Sequence, residues 1–504
     1  FQNAAVENVY AELGRRANVT LTVIPTAQLA EVEVTAAGMA ATAVGVGTEF
    51  TAETIANAPS INRDLKGTLR IDPKAWVDAT NSDALEVAGV NNRYNTITID
   101  GVRQSDDFGL NNNGYPTQRS PISLDAVEAL SLLSAPFDVQ YSSFRGSTIN
   151  VVTKSGTNEF TGSLFYYTYD DSLVGDKSKD SDYDFAFEED KWGVSVGGPI
   201  IKDKLFFFAS YEKLDRKAPQ DYGPSDSGAA IPVEGVTQAQ YDQIVQITQD
   251  VYDYDPGTTL SSLPEEDEKI FAKLDWNISD TQRASLSYQH TEGNEVIQTN
   301  NSASGRDLST PSDWYNRAIT LDAYSFQLFS DWSDVFSTEI KFGRKEVESL
   351  QDSLLGTGFA NFRVCVVEED PANPNPPASQ TCPSAAAEVY IGPDVFRHAN
   401  YLTNDLDQFK LKGSFFLGDH TLSAGYEREM LDIFNVFVPS SAGEYYFNSI
   451  DDYERGQASR LVYSNAYTNN SDDGAAAFAY DVDALYIQDA WQVTLKADDF
   501  GLSG

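Results

Sequence analysis

The alternation of short and long connections between strand-like segments is the feature that most constrains this fold. Ten strands are predicted, at residues 161–168, 191–198, 205–214, 269–277, 283–291, 318–331, 336–347, 406–417, 421–434 and 482–494. Short turns lie at residues 200–204, 278–282, 331–335 and 417–420, and long, mostly acidic connections at residues 169–190, 215–267, 292–315, 348–405 and 435–481. Since successive antiparallel strands run in opposite directions, the short turns fall on one side of the sheet and the long connections on the other.

Apolar and polar side chains also alternate along these strands. The clearest examples are Phe409, Leu411, Gly413 and Phe415 against Gln408, Lys410, Lys412 and Ser414. One face is apolar and the other polar, as lipid outside and a wet lumen inside require, and outer-membrane barrels place their short turns at the periplasm. A soluble sandwich has no reason to separate its turns in this way. The sequence therefore predicts an all-β transmembrane barrel.

Charge and apolar content exclude other classes. No apolar run approaches the ~18 residues that a membrane-spanning helix needs. The formal net charge of -41 makes nucleic acid an improbable ligand, because its binding relies on Lys and Arg. The acidic excess keeps loops soluble or binds divalent cations at a cell surface. The chain begins at Phe1, so either a signal peptide has been removed or the start is missing.

The region before the barrel has two parts. Residues 29–47 read as a flexible, strand-competent peptide suited to adding an edge to another protein's sheet. Residues 50–158 have the composition of a mixed α/β domain, with helices predicted at 51–57 and 123–130, a further turn at 64–69, and a strand at 94–99 that ends at the turn pair Asp100-Gly101. The polar loop at residues 103–120 is long for a compact domain, and such loops are usually functional or disordered.

Several segments together resemble the TonB-dependent outer-membrane receptors, and most of all their Oar-like branch. The plug-like segments are residues 92–102 (NRYNTITIDGV) and 107–110 (DFGL), and the junction segments are 149–158 (INVVTKSGTN) and 160–163 (FTGS). The barrel segments are 197–200 (GGPI), 203–212 (DKLFFFASYE) and 486–489 (YIQD) with Trp491. The junction departs from the commoner family pattern at residues 142–147, where glycines usually cluster.

The resemblance implies a plug inside a barrel of 22 strands, of which this chain carries about ten, and transport powered by the TonB-ExbB-ExbD complex. It implies the tail of a carboxypeptidase-regulatory-like domain at residues 1–28, a TonB box and linker at 29–48, the plug at 49–158 and barrel strands at 159–504. The TonB box itself would be Glu31, Val32, Glu33, Val34, Thr35 and Ala36.

The number of strands predicts a fragment. Barrel diameter grows with strand number, and about 8 strands enclose little more than their own side chains, whereas plugged transporters need about 22. Ten strands would also leave two open edges, which cannot face lipid because each unpaired backbone group costs several kcal/mol. A dozen further strands after Gly504 are therefore expected.

No enzymatic site is predicted, and no cofactor or metal is implied. Residues 193–197 match G-x-S-x-G, but this motif needs a strand followed at once by a helix, and a turn and another strand follow here. His290, His398 and His420 lie on separate elements without ligand spacing. The aspartates at 170, 171, 176, 180, 182 and 184 lack the order and the glycine of an EF-hand.

Two features of the long connections are predicted. Cys365 and Cys382 share one such connection, and in an oxidising exterior a disulfide between them is favoured over free thiols. Residues 237–251 read as an amphipathic helix. Packing over the barrel mouth is favoured for it, and a substrate lid is the alternative.

The favoured function is TonB-dependent transport across the outer membrane of a Gram-negative bacterium, with lipid, lipopolysaccharide and an unknown extracellular substrate as further partners. The alternative is a surface adhesin or binding barrel without transport. Substrate would first meet the plug's apical loop, through Asp106, Asp107, Asn111, Asn112, Asn113 and Tyr115.

Overall fold

The computed structural model describes residues 45–60, 62–141, 146–175, 177–178, 181–182, 187–367, 382 and 386–491. The predicted N-terminal tail, the TonB box, most of its linker and most of the departing junction segment at 142–147 lie outside these residues. The same holds for Asp176, Asp180 and Asp184 of the acidic loop.

The N-terminal part of the described chain forms a mixed α/β inner unit. Its strands are β1 (Gly45–Thr51), β2 (Ala75–Asp78), β3 (Ala84–Val87), β4 (Thr96–Ile99), β5 (Val102–Arg103), β6 (Val127–Pro136) and β7 (Thr148–Thr153). Its helices are α1 (Ala52–Asn57), as predicted, and α2 (Leu65–Leu69), where the sequence predicts only a turn. They are capped by the Thr51 and Asp64 side chains. Five strands form one sheet in the order β1-β6-β7-β4-β5, whose apolar core includes Phe50, Leu130 and Ile149.

The predicted helix at residues 123–130 is wrong. Leu124–Ala126 form a single 3-10 turn, capped by the Ser123 hydroxyl, and the chain then enters the ten-residue strand β6. β6 pairs with β1 on one side and with β7 on the other. Its side chains from Ala129 to Leu133 are buried on both faces, so the spacing of Val127 and Leu130 reflects a doubly covered central strand rather than one face of a helix.

The remaining strands are β8 (Thr161–Asp170), β9 (Lys177–Ser178), β10 (Ser181–Asp182), β11 (Glu188–Ile201), β12 (Leu205–Pro219), β13 (Tyr222–Pro224), β14 (Ile231–Val233), β15 (Ser262–Ser279), β16 (Gln282–Ile297), β17 (Asp307–Ser309), β18 (Tyr315–Ser333), β19 (Phe336–Ser353), β20 (Asn361–Cys365), β21 (Glu388–Ile391), β22 (Asn400–Leu417), β23 (His420–Phe437), β24 (Glu444–Phe447), β25 (Arg460–Val462) and β26 (Ala476–Trp491). Two further helices are α3 (Gln238–Tyr252) and α4 (Ile450–Glu454).

Ten long antiparallel strands form the barrel sheet, in the order β26-β23-β22-β19-β18-β16-β15-β12-β11-β8. They overlap the ten predicted strands, and most extend several residues further toward the long connections. Phe326, Phe342 and Phe409 are cross-strand neighbours on its outer face, whereas polar side chains of the inner face are buried against the inner unit. Among the described residues β8 and β26 each pair with one neighbour in this sheet. No described helix is long and apolar enough to cross a membrane.

The long connections build a third structure, called here the outer unit: β17, β20, β21, β24, β25, α3, α4 and the residues that pack between them. Its five strands form a sheet in the order β17-β21-β20-β24-β25. Its apolar core combines residues from four connections, such as Ile244, Leu308, Val364 and Phe447. The predicted helix is present as α3, which begins with a capping box at Thr237 and packs into this core. Cys365 and Cys382 are joined by a disulfide.

Candidate functional site

The turn at Asp100-Gly101 attaches the inner unit to the barrel wall. The Asp100 carboxylate accepts hydrogen bonds from the backbone N–H and the hydroxyl of Thr153, at 3.0 and 2.5 Å. Lys273 of β15 lies 3.4 Å from the same carboxylate. The carbonyl of Asp100 accepts from Gln327 of β18 at 2.5 Å. Two barrel strands therefore bind one turn through a charged group and its backbone.

A second contact centres on Asp107. Its carboxylate pairs with Arg103 of the inner unit and with Lys345 of β19, and the Lys345 side chain is fully buried. Burial acts to raise the pKa of Asp107, but the Lys345 ammonium and the Arg103 guanidinium outweigh it and hold this pKa below its usual value. Arg103 also lies 3.5 Å from Glu429 of β23. The Asp107 carboxylate thus binds one cation of the inner unit and one of the barrel.

The loop after β5 is shaped by its own side chains. Asp106 accepts hydrogen bonds from the backbone N–H groups of Gly109 and Asn111, and burial raises its pKa. The Tyr115 hydroxyl donates to Asp64 at 2.7 Å, and the Lys66 ammonium lies 4.1 Å from the centre of the Tyr115 ring. These side chains hold the loop in one conformation against α2.

A cavity of about 620 Å³ lies between this loop and the inner wall of the barrel, toward the long connections. Arg119 of the loop forms an ion pair of 2.7 Å with Glu265 of β15, and Arg216 of β12 contacts the same carboxylate at 3.0 Å. The further lining residues that bear on the argument are Asn111, Asn112, Asn113, Gln118, Lys191, Lys269 and Arg317. The cavity wall is therefore made of amides and charged groups from both units.

The structure separates the six predicted apex residues into two groups. Asn111, Asn112 and Asn113 line the cavity, whereas Asp106, Asp107 and Tyr115 do not. The Asp107 side chain is 2% exposed, and Tyr115 is 2% exposed as a whole residue. The polar groups of both bind partners within the protein. A substrate contact through the three asparagines stays a prediction. Within the loop, the Asn111 amide also donates to the carbonyl of Tyr115, and the Asn113 amide donates to those of Thr117 and Gln118.

Sequence reasoning missed the charged residues of the cavity wall. Lys191 and Lys269 both approach Glu212 of β12, at 3.6 and 3.3 Å, and Glu212 accepts a hydrogen bond from Ser123 of the inner unit at 2.6 Å. Each of these charged residues has one charged and one apolar or aromatic neighbour along its strand, so simple alternation does not show that it points inward. Their partners across the lumen are far away in sequence and carry no local signal.

The chain passes from the inner unit to the barrel through a tight contact at Gly156. A Cβ atom at this position would lie 2.3 Å from the carbonyl oxygen of Phe207 and 2.7 Å from that of Gly198. Only glycine therefore fits where the linker crosses β11 and β12. The G-x-S-x-G match at residues 193–197 lies in the middle of β11, so it forms no nucleophile elbow.

Each of the three histidines contacts an oxygen atom of the protein. His290 lies 2.9 Å from Asp322, His420 lies 2.8 Å from Asp489, and His398 contacts the carbonyl of Pro393. In the part of the chain that the structure describes, no group of three or more His, Cys, Asp or Glu side chains is arranged to hold a metal ion.

Comparison with known proteins agrees with this architecture. The family model described as "Outer membrane beta barrel domain" matches residues 152–259 and 257–496, which is more than half of the chain. The chain belongs to this family. It therefore lies in the outer membrane of a Gram-negative bacterium, as the sequence predicted, and its ten long strands are barrel strands.

Relatives carry names that match the predicted resemblance. The TonB-dependent transporter Oar of Myxococcus xanthus is 26% identical over 229 residues, which are 42% of this chain and 21% of that protein. The probable TonB-dependent siderophore receptor PirA of Acinetobacter baumannii is 27% identical over 166 residues, or 31% of this chain and 20% of that protein. The resemblance to TonB-dependent receptors is thereby confirmed.

Solved structures show the same fold. The outer membrane transporter YddB from Escherichia coli matches with a TM-score of 0.60 at 12% identity, covering 88% of this chain and 54% of that one. The siderophore receptor PirA from Acinetobacter baumannii matches with a TM-score of 0.53 at 14% identity, covering 90% and 55%. The chain thus spans about half the length of these structures and about a fifth of the two curated relatives.

Proposed function

We propose that this chain is the plug and the first barrel strands of a TonB-dependent outer-membrane transporter. The observation that carries the proposal is the polar interface between the inner unit and the barrel. Asp100, Asp107 and Arg119 each bind barrel side chains through charged groups or hydrogen bonds. Polar interfaces between parts of one chain resemble those of transient complexes, and relative motion is the default expectation for them. A plug must be able to move or rearrange if substrate is to pass.

The cavity is the proposed entry site for the substrate. It lies on the side of the long connections, and the loop of residues 103–120 closes it from below. Asn111, Asn112 and Asn113 place side-chain amides in the wall, of which those of Asn111 and Asn113 also bind within the loop. Arg119 supplies a cation that Glu265 already partly neutralises. This wall suits a ligand with several hydrogen-bonding groups. Because the relatives with printed roles are transporters or receptors, the proposed activity is transport rather than catalysis.

TonB is the proposed energy-coupling partner, through strand addition by residues 31–36. The ExbB-ExbD complex would act through TonB, and lipid and lipopolysaccharide would contact the outer face. The acidic, β-branched run Glu31, Val32, Glu33, Val34 and Thr35 has the character of a peptide that adds an edge strand. The carboxypeptidase-regulatory-like tail at residues 1–28 remains part of this proposal.

The coupling is tested with the complete protein, purified from membranes, and the periplasmic domain of TonB. Deleting residues 31–36 should abolish binding of that domain, measured by isothermal titration, while the barrel stays folded. A matched deletion of residues 38–43, also six residues long, should leave binding in place. No TonB binding by the intact protein would favour the alternative of an adhesin or binding barrel without energised transport. Equal binding by all three proteins would show that residues 31–36 are not the TonB box.

A further inference from the structure

A line of apolar and mostly aromatic residues crosses the outer face of the barrel sheet. Directly opposed residues of antiparallel strands point to the same face, so the register carries the outward direction of Phe342 to the other barrel strands. On β11, β12, β15, β16, β18, β19, β22, β23 and β26, one outward residue is the last apolar one below an ionisable residue. These residues, called here the apolar line, are Trp192, Tyr211, Ile270, Tyr288, Tyr324, Phe342, Phe409, Tyr426 and Leu485.

The next outward residue toward the long connections is ionisable on every one of these strands, and acidic and basic residues alternate. In strand order these residues, called here the charge ring, are Asp190, Lys213, Glu268, His290, Asp322, Arg344, Asp407, Arg428 and Asp483. Arg344 lies 2.9 Å from Asp407. Arg428 lies 3.3 Å from Asp483. Opposite charges on neighbouring strands stabilise each other, so the ring can lie beside an apolar medium at a lower cost than isolated charges.

One level further out, the wall is acidic. On these same strands the following outward residue is Asp or Glu in seven of nine cases and is never Lys or Arg. The seven are Glu188, Asp215, Glu266, Glu292, Glu346, Asp405 and Asp481. Charge on the lipid face is destabilising at hydrocarbon depth and is tolerated near the interface. Seven carboxylates without a cation would also repel lipid phosphates. This level therefore belongs in water.

One level below the apolar line, the wall is apolar throughout. The outward residues there are Val194, Ala209, Ala272, Leu286, Phe326, Ile340, Leu411, Ala424 and Ile487. On β18 the outward side chains from Tyr324 to Trp332 span about 22 Å along the barrel axis, taking ~3.3 Å per residue and a tilt of ~35°. Outer-membrane barrels have an apolar band of about 25 Å that is bordered by aromatic residues. The apolar line therefore has the height and composition of the outer border of such a band.

The slope of the apolar line agrees with the tilt of barrel strands. Cross-strand pairing connects Val194 of β11 with Ala479 of β26 through one row of directly opposed residues. Trp192 lies two residues above this row and Leu485 lies six residues below it, so the line shifts by eight residues over eight strand intervals. One residue of ~3.3 Å per strand spacing of ~4.8 Å corresponds to a tilt of about 35°. Membrane barrels have this tilt, so the line is level in the membrane.

We propose that the hydrocarbon of the outer leaflet ends at the apolar line and that its phosphate-bearing headgroups lie at the charge ring. The acidic wall above the ring then stands in water. On β18, the residues from Asp322 to Tyr315 extend about 20 Å beyond the hydrocarbon. The outer unit, which begins at this end of the strands, is therefore held clear of the lipid. The proposal depends on the outer-membrane location of the chain and not on transport.

Site-directed spin labelling measures the depth of each level. Single-cysteine variants of the complete protein in vesicles of phosphatidylethanolamine and phosphatidylglycerol are labelled with a nitroxide, and its accessibility to oxygen is compared with that to a polar nickel chelate. On β18 the oxygen-to-nickel ratio should fall about tenfold or more from Phe326→Cys to Thr320→Cys, because hydrocarbon excludes the chelate. Asp322→Cys should lie between them. On β22, Leu411→Cys and Asp405→Cys should give the same two extremes.

Two positions of the same cross-strand row test the slope. If the lipid border ran perpendicular to the strands, Val194→Cys and Ala479→Cys would have the same oxygen-to-nickel ratio. The proposal predicts the high ratio of hydrocarbon for Val194→Cys and the low ratio of water for Ala479→Cys. Equal ratios in this pair, a hydrocarbon value at Thr320→Cys, or a water value at Phe326→Cys would overturn the proposal.

The folding of each variant is verified by gel electrophoresis without heating, in which an intact barrel migrates differently from the heated chain. Leu286 and Glu292 of β16 lie directly opposite Phe326 and Thr320 of β18. Leu286→Cys and Glu292→Cys therefore replace a β18 variant that does not fold, with the same expected ratios.

Discussion

The inner interface and the outer unit are built on opposite principles. Between the inner unit and the barrel, many contacts are charged or hydrogen-bonded, as at Asp107 with Lys345 and Gln104 with Gln289. Of the barrel side chains, Phe208 and Phe271 also join the apolar core of the inner unit. In the outer unit, side chains from four separate connections share an apolar core around Phe362. A polar interface can exchange its partners for water with little net change in free energy, whereas an apolar core is lost as a whole. The inner unit can therefore be displaced from the barrel, whereas the outer unit unfolds cooperatively.

The largest expected effect falls on the outer core. Phe362 contacts the rings of Tyr252, Phe447 and Tyr453, among others. Phe362→Ala should destabilise the outer unit by about 3–5 kcal/mol, because it removes a buried ring and leaves a cavity. Hydrogen exchange should rise throughout α3 and the outer-sheet strands β17, β20, β21, β24 and β25, but not in the barrel strands β15, β16, β18 and β19. Phe437→Ala, at a half-exposed ring, is the control and should have a small effect. A rise in hydrogen exchange confined to the neighbourhood of residue 362 would contradict a shared core.

The second effect concerns the inner interface. Lys345→Met leaves the buried Asp107 carboxylate with Arg103 alone, and breaking a buried pair costs about 3–5 kcal/mol. Urea unfolding in detergent should show a destabilised inner unit, and Asp107→Asn in the same protein should restore much of the loss. Lys202→Met, in an exposed turn, should have no effect. If the double variant loses as much as the sum of the single ones, Asp107 and Lys345 are not coupled.

The third prediction is a pH dependence of the stability of the outer unit, through Asp313, which is fully buried at the end of the 3-10 helix before β18. Burial and the neighbouring Asp394 raise the pKa of Asp313 in the folded protein from its ordinary value of 3.8 to about 7. Between these values the folded state binds more protons, so the free energy of unfolding falls as pH rises. Asp313→Asn removes this dependence. The free energy of unfolding of the variant should exceed that of the wild type by a few kcal/mol at about pH 8, and the two should differ little near pH 4. Parallel wild-type and variant profiles, measured by outer-loop proteolysis, would contradict a raised pKa.

The smallest effect tests a local feature of the outer unit. The Thr237 hydroxyl accepts from the backbone N–H of Gln240, whose side chain accepts from the backbone N–H of Thr237. Thr237→Ala should cost about 1 kcal/mol, seen as faster hydrogen exchange in the first turn of α3. Thr258→Ala, at an exposed position outside the helix, serves as its match. An unchanged first turn would mean that packing alone maintains this end of α3.

The sequence allowed the barrel strands to be predicted because their information is local. Alternation at residues 408–415 reveals both the strand and its lipid face, and the amphipathic pattern of residues 237–251 predicts α3. The outer sheet was not predicted, because its strands have three to five residues each and pair across distant connections, as β20 does with β24. The contact between Asp107 and Lys345 was missed for the same reason. A three-residue spacing alone could not separate the central strand β6 from a helix.

The most direct test of the account uses two adjacent positions of β19. The site of a Cβ atom at Gly343 lies 2.9 and 3.5 Å from the two methyl carbons of Val102 in β5, whereas Phe342 is about half exposed on the outer face. In isolated outer membranes, Val102→Cys with Gly343→Cys should form a disulfide between inner unit and barrel, and Val102→Cys with Phe342→Cys should not. Mass spectrometry of the digested protein distinguishes the two results. A disulfide in the second pair, or in neither, would contradict an inner unit that packs against the inner face of the barrel sheet.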